Sequence, residues 1–264
     1  MADRDVWIFL SYAPDDDLTT SASEDEVGFV TFLHRMLELK LRDLGATQAK
    51  IWLDRRRLNL GDPLDDVVNE AIDKADLLLV VMSNNWMQRP YCRKELDLFI
   101  DVRKQAGVLN VQERMIIVGK GHVDRLKRPV ELQGQEGFLF YARDDQSDVA
   151  DVRPFFRAGK VRDDRFYELR DDLAAFLHRR AQRIAEDAGR RIVYLAVPAT
   201  DMWDAYTRLL SELRGRGYHV VPDYGLPYGS AALAGIEGAL AVAELSIHLL
   251  GKVPVLHPKA SIRS

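Results

Sequence analysis

A chain of 264 residues that is 47% hydrophobic has ample apolar material for one large domain or two ordinary ones. Its net charge of −4 comes from well-mixed acids and bases, so there is no general attraction to nucleic acid or to an anionic membrane. A single cysteine excludes an internal disulfide framework, six scattered histidines show no metal-ligand spacing, and no apolar run approaches the ~20 residues of a membrane span. The segment Met1–Asp5 lacks the basic-then-apolar pattern of a signal peptide, so a cytoplasmic protein is expected.

The first element is a short apolar run, Val6 to Tyr12, of the kind buried on both faces of a parallel sheet. After an acidic loop, Ser23-Glu24-Asp25-Glu26 offers a capping box for a helix. Val30, Leu33, Leu37, Leu41 and Leu44 carry its apolar stripe and Gly45 ends it. A short strand, Ala49–Asp54, and a polar loop, Arg55–Gly61, come next. Asp62-Pro63 then opens a second helix with Leu64, Val67, Val68, Ala71, Ile72 and Ala75 at helical spacing. Leu77–Ser83 reads as a third strand and Pro90 opens a third helix. Further strands are expected at Arg114–Val118 and Gly137–Tyr141, and a long helix at about 163–187.

Alternation of this kind implies a parallel sheet with helices on both faces. Ligands of such sheets sit beyond the carboxyl ends of the strands. Ser11, Tyr12, Asp54, Ser83 and Asn84 all fall at those ends.

Glu95 stands out against this background. On a helical wheel it falls between Phe99 and Val102, on the arc of Cys92, Leu96 and Leu98, opposite Lys94, Asp97 and Asp101. An ionised carboxylate on a core-facing stripe costs several kcal/mol unless it is paired or opens onto a cleft. A structural ion pair and a functional site are both open at this point.

From Arg190 the plan restarts. Ile192–Val197 is a strand, Asp201–Arg214 a helix, His219–Val221 a strand and Leu245–Leu250 another, with Ser230 capping the helix between the last two. This repeat ends before any counterpart of the Glu95 helix.

Five motifs in order carry a family resemblance. They are Leu10-Ser11-Tyr12, Ile51-Trp52-Leu53-Asp54, a variable loop with Gly61, Val80–Trp86, and Tyr91-Cys92-Arg93-Lys94-Glu95-Leu96. Together, over about residues 5–187, they resemble Toll/interleukin-1 receptor (TIR) domains, most closely those of bacteria. Tyr91 stands where the family usually has tryptophan. Residues 190–250 resemble, more weakly, the first half of a second TIR-like module. The resemblance implies an α/β, flavodoxin-like domain over residues 1–188, followed over 189–264 by a partial repeat of the same βαβαβ plan.

For function the resemblance implies two kinds of job. Some TIR domains cleave NAD at the nicotinamide–ribose bond through the glutamate that aligns with Glu95, as defence effectors. Others only assemble signalling complexes through the loop after the second strand. NAD would be a substrate, with no resident cofactor or metal, and self-association would be the main protein contact. Ser11, Tyr12, Asp54, Ser83, Trp86 and Tyr91 are the expected substrate-facing residues, and Arg55, Arg56, Arg57 and Gly61 the assembly loop. A nucleoside-processing transferase of similar fold is a distant third reading.

The chemistry is reasonable on its own terms. Loss of nicotinamide leaves a ribosyl oxocarbenium ion that a nearby carboxylate stabilises, and the leaving group departs neutral without a general acid. Competing assignments remain beside these. Trp7 and Trp52 suit core packing, whereas Trp86 and Tyr91, read as lying in the loop before Glu95, suit packing or stacking on a base equally. Arg55–Arg57 suit a pyrophosphate, a neighbour's acidic face or plain solvent. Cys92 reads as a buried small residue, and Gly215-Arg216-Gly217 precedes a strand, so it is no dinucleotide fingerprint. The loop Gly225–Gly229 lacks phosphate-loop glycine spacing.

Overall fold

The computed structural model describes residues 4–19, 27–53, 66–106, 108, 110–135, 137–143, 152–222 and 230–252, without the side chains of 230–235. The chain divides into two compact units, Met1–Gln105 with Val111–Ala188, and Ala106–Asn110 with Gly189–Ser264.

The first unit begins with β1 (Val6–Ser11), α1 (Phe29–Asp43), β2 (Ala49–Trp52), α2 (Asp66–Lys74) and β3 (Leu77–Met82). It continues with α3 (Asn84–Gln88), α4 (Pro90–Gln105), β4 (Met115–Gly119), α5 (Val130–Gln133) and β5 (Gly137–Leu139). The strands form one five-stranded parallel sheet in the order β2-β1-β3-β4-β5. β3 is buried at every residue, as a central strand covered on both faces must be. Side chains alternate along β1. Val6, Ile8 and Leu10 join one core with Val30, Leu33, Leu37 and Leu41 of α1. Phe9 and Ser11 therefore face the opposite side of the sheet, and Ser11 meets α4 there.

Between residues 137 and 161 the described chain differs from the sequence expectation, while the long helix expected at about 163–187 is present. The apolar run Gly137–Tyr141 is not one strand. It divides at Phe140 into β5 and β6 (Tyr141–Arg143), which pairs antiparallel with β7 (Val152–Pro154). A second hairpin, β8 (Phe156–Arg157) with β9 (Lys160–Val161), leads to the long helix α6 (Arg165–Asp187). Phe140, Phe156 and Phe166 cluster around Phe29, burying the start of α1 against the start of α6. Aromatic burial of this size gives these short hairpins a reason to exist that no periodicity could announce.

The start of α1 is a further correction. The helix opens at Phe29 with Gly28 as N-cap, so the box at Ser23–Glu26 does not cap it; residues 20–26 themselves lie outside the described set. Asp17 does the capping from a distance, accepting from the Thr31 backbone N–H at 2.8 Å and from its hydroxyl at 2.6 Å. Gly28 permits this approach, because a Cβ there would overlap the Asp17 carbonyl oxygen. Gly28→Ala should therefore cost about 2 kcal/mol or more, in the range of overpacking. Urea denaturation checks this, and an unchanged midpoint would remove the argument.

Two smaller differences concern exposure. Val67, expected on the buried stripe of α2, is 48% exposed, while Val68 and Ile72 are buried. Trp7, expected to pack in the core, is 38% exposed at the start of β1. Trp52 does pack, stacked on Phe9 at 5.1 Å. Arg93 of α4 grips Glu131 of α5 through two parallel bonds of 2.9 and 3.0 Å. Burial alone would raise the Glu131 pKa, but this fork, a backbone hydrogen bond and the nearby Lys104 together outweigh it and hold the carboxyl below its usual range.

The second unit contains β10 (Ile192–Leu195), α7 (Trp203–Gly215), β11 (His219–Val221), α8 (Ser230–Val242) and β12 (Leu245–Ile247). These strands are parallel in the order β11-β10-β12, the same arrangement as β2-β1-β3. Val193, Leu195 and Val220 pack with Leu213 of α7, while Tyr194 and Val221 pack with Ala239 of α8. The expected strand Leu245–Leu250 is shorter than its apolar run, and the loop Gly225–Gly229 lies outside the described residues.

Candidate functional site

The carboxyl edge of the first sheet collects most of the polar groups that the sequence placed there. β1 ends at Ser11, β3 is followed by Ser83, and β4 by Lys120, whose backbone N–H donates to the Met82 carbonyl at 3.0 Å. Pro90 opens α4, and Cys92, Glu95, Leu96 and Phe99 form its buried stripe. Glu95 is fully buried, at 0% exposure. The Ser11 hydroxyl donates to its Oε2 at 2.6 Å. A hydrogen bond to a charged group contributes about 1.5–3 kcal/mol, which offsets part of the cost of taking a carboxylate out of water.

Trp86 and Tyr91 are not in a loop. Trp86 sits in α3, which Ser83 caps by accepting from the Trp86 backbone N–H at 3.0 Å. Its indole Nε1–H donates to Ser11 Oγ at 3.0 Å, and the ring is buried. Tyr91 lies half-buried in the first turn of α4. The buried Tyr12 contributes its backbone carbonyl, which accepts from Cys92 Sγ at 3.6 Å. Asn84, the first residue of α3, is exposed. The structure thus joins Ser11, Trp86 and Glu95 directly. Asp54, Arg55, Arg56, Arg57 and Gly61 lie outside the described residues.

The acidic loop after β1 proves to be more than a solvated stretch, because each of its carboxylates has its own partner. Asp15 pairs with Arg89 at 2.5 and 3.0 Å, and Asp17 caps α1. Asp16 is 1% exposed and accepts from the Ser83 hydroxyl, from Asn85 Nδ2 at 2.9 Å and from Lys120 Nζ at 3.0 Å. Sequence reasoning missed both Asp16 and Lys120. Their signal was position: each stands just beyond a strand's carboxyl end, where Ser11 and Ser83 were noticed.

A continuous chain of hydrogen bonds results. Lys120 and Ser83 donate to Asp16; the Trp86 backbone donates to Ser83; the Trp86 indole donates to Ser11; and Ser11 donates to Glu95. This chain ties the ends of β1, β3 and β4 to one carboxylate on α4. Among the described residues, no group of His, Cys, Asp and Glu side chains is arranged to hold a metal ion. Nor is any helix among them long and apolar enough to cross a membrane.

A five-stranded parallel sheet covered by helices, with hydroxyls and a buried carboxylate at its carboxyl edge, defines a flavodoxin-like α/β domain. The family model described as TIR domain matches residues 8–118, from β1 to β4, and this part of the chain is a TIR domain. A search of curated proteins returned no match.

Proposed function

We propose that the protein cleaves NAD at the nicotinamide–ribose bond, with Glu95 as the carboxylate that stabilises the ribosyl oxocarbenium ion. The supporting observation is the placement of Glu95: a carboxylate on a buried helical stripe, oriented by Ser11 and Trp86 at the sheet's carboxyl edge. An apolar wall of Cys92, Leu96 and Phe99 lowers the local dielectric and strengthens any interaction with a developing positive charge. The leaving nicotinamide departs neutral, so one carboxylate suffices and neither a metal nor a resident cofactor is required.

The burial that supports this reading also sets a condition on it. A fully buried Glu95 touches no substrate, so reaction requires a state in which the carboxylate is uncovered. TIR domains commonly self-associate, and assembly is the natural source of such a state. The loop Arg55–Leu60 is then the segment expected to meet a neighbouring copy or the substrate. Nicotinamide release from NAD should therefore rise faster than linearly with protein concentration. Strict proportionality down to dilute monomer would exclude assembly as the trigger.

A second reading, a non-catalytic TIR scaffold that recruits partners, is favoured by the same burial, since a hydrogen-bonded interior carboxylate can be purely structural. A role in bacterial antiviral signalling belongs to the resemblance. The second unit, with its matching strand order and no counterpart of α4 among its described residues, reads as a partial TIR-like module with a sensing or regulatory role.

A further inference from the structure

Beyond the carboxyl ends of β4 and β5 lies a cleft of about 430 Å³, lined by His122, Arg125, Arg128, Leu139, Tyr141 and Arg143 among others. Its size falls in the range of small-molecule sites, roughly 300–1,000 Å³. None of the residues that form it belongs to the Ser11–Trp86–Glu95 arrangement.

The charges in this cleft are unusually disposed. Arg125 donates Nε–H to the Gln133 carbonyl at 2.6 Å. Arg128 reaches the Gln135 and Val123 carbonyls only at 3.5 Å, and its buried Nε has no hydrogen-bond partner among the described residues. Both guanidinium groups thus meet backbone carbonyls in place of carboxylates. The one acid in the lining, Asp124, uses a carboxylate oxygen to accept from the Leu126 backbone N–H at 3.0 Å. Burial pulls the Arg128 pKa below its ordinary value, the direction expected for a cation held without an adequate counter-charge. Elsewhere in the same unit, Arg93 holds Glu131 and Arg89 holds Asp15, whereas Arg103, like the cleft arginines, ends on a backbone carbonyl, that of Asp73. The cleft is built to leave donors for something else.

We infer that this cleft binds the phosphate or diphosphate group of a small organic ligand, with Arg125 and Arg128 as the anion-holding forks. A planar guanidinium matches two phosphate oxygens at once, which a point charge does not. The edge-to-face pair of His122 and Tyr141, with ring centroids 6.3 Å apart, and the part-exposed Leu139 supply a less polar wall for the sugar or base that carries the phosphate. A diphosphate fits the two forks better than a single carboxylate does, because it offers oxygens to both. The inference stands apart from the reading of Glu95.

Titration calorimetry of the full chain with inorganic pyrophosphate, ADP-ribose and adenosine tests it. Pyrophosphate and ADP-ribose should bind and adenosine should not at the same concentration; tighter binding of ADP-ribose would show that the His122–Tyr141 wall contributes, and equal binding that the phosphates suffice. Arg128→Gln and the exposed Arg125→Gln should each weaken binding about tenfold or more, the usual scale for losing a charge-assisted contact. Raising the salt concentration should weaken it further. The inference is overturned if neither phosphate compound binds at millimolar concentration. It is equally overturned if binding survives both arginine substitutions in protein with an unchanged circular dichroism spectrum.

Discussion

Glu95→Gln should abolish nicotinamide release while leaving the protein folded. Glutamine has nearly the same shape and keeps an oxygen to accept from Ser11, so the local packing persists. Only the negative charge is lost, and with it the stabilisation of the oxocarbenium ion. Removing one preorganised electrostatic partner of this sort costs roughly 10²–10³ in rate, and more where it is the only carboxylate available. The melting temperature should stay within about 4 °C of wild type, equivalent to roughly 1 kcal/mol for a protein of this size. A structural carboxylate would show the reverse: activity kept, or lost only together with the fold. Measuring both quantities on one preparation distinguishes the two.

Asp16→Ala should have the largest effect on stability. Asp16 is almost wholly buried and holds three donors from the ends of β3 and β4. Its removal leaves Lys120 and the Ser83 hydroxyl facing a gap, and breaking a buried charged pair by deleting one partner costs about 3–5 kcal/mol. The Lys120 side chain keeps 28% exposure, which brings the expected cost to the lower end, about 3 kcal/mol. Asp16→Asn should cost less, since shape and part of the bonding survive. Because Ser83 also caps the helix carrying Trp86, the indole N–H resonance of Trp86 should shift in Asp16→Asn at constant fold. Urea denaturation and a proton–nitrogen correlation spectrum check the two effects. An unmoved Trp86 signal would mean that the hydrogen-bond chain transmits nothing from Asp16 to Ser11.

Much of this architecture was legible in the sequence, for identifiable reasons. β3 is a run of six apolar residues that only a doubly covered strand can bury, and it is buried throughout. The wheel position of Glu95 anticipated its burial beside Cys92, Leu96 and Phe99. Ser11 and Ser83 stood at strand ends, and both are indeed in the hydrogen-bonded chain. What escaped depends on contacts between distant segments. Lys120 and Asp16 are 104 residues apart, and neither interrupts an apolar pattern that would draw attention to it. The Ser23–Glu26 box is a sound local signal, yet Asp17 reaches the helix start from outside and makes it unnecessary there. The hairpins between Tyr141 and Val161 are two or three residues per strand, too short for periodicity to emerge. Trp86 reads as loop because α3 is a single capped turn before Pro90, and so brief a helix leaves no stripe.

Glu95 is proposed here as the catalytic carboxylate of an NAD-cleaving TIR domain. The most direct measurement is a proton NMR time course of NAD incubated with concentrated wild-type protein and, in parallel, with folded Glu95→Gln. Free nicotinamide should accumulate with the wild type and stay at background with the variant. No nicotinamide from the wild type at any protein concentration, or equal release by both, would contradict the claim.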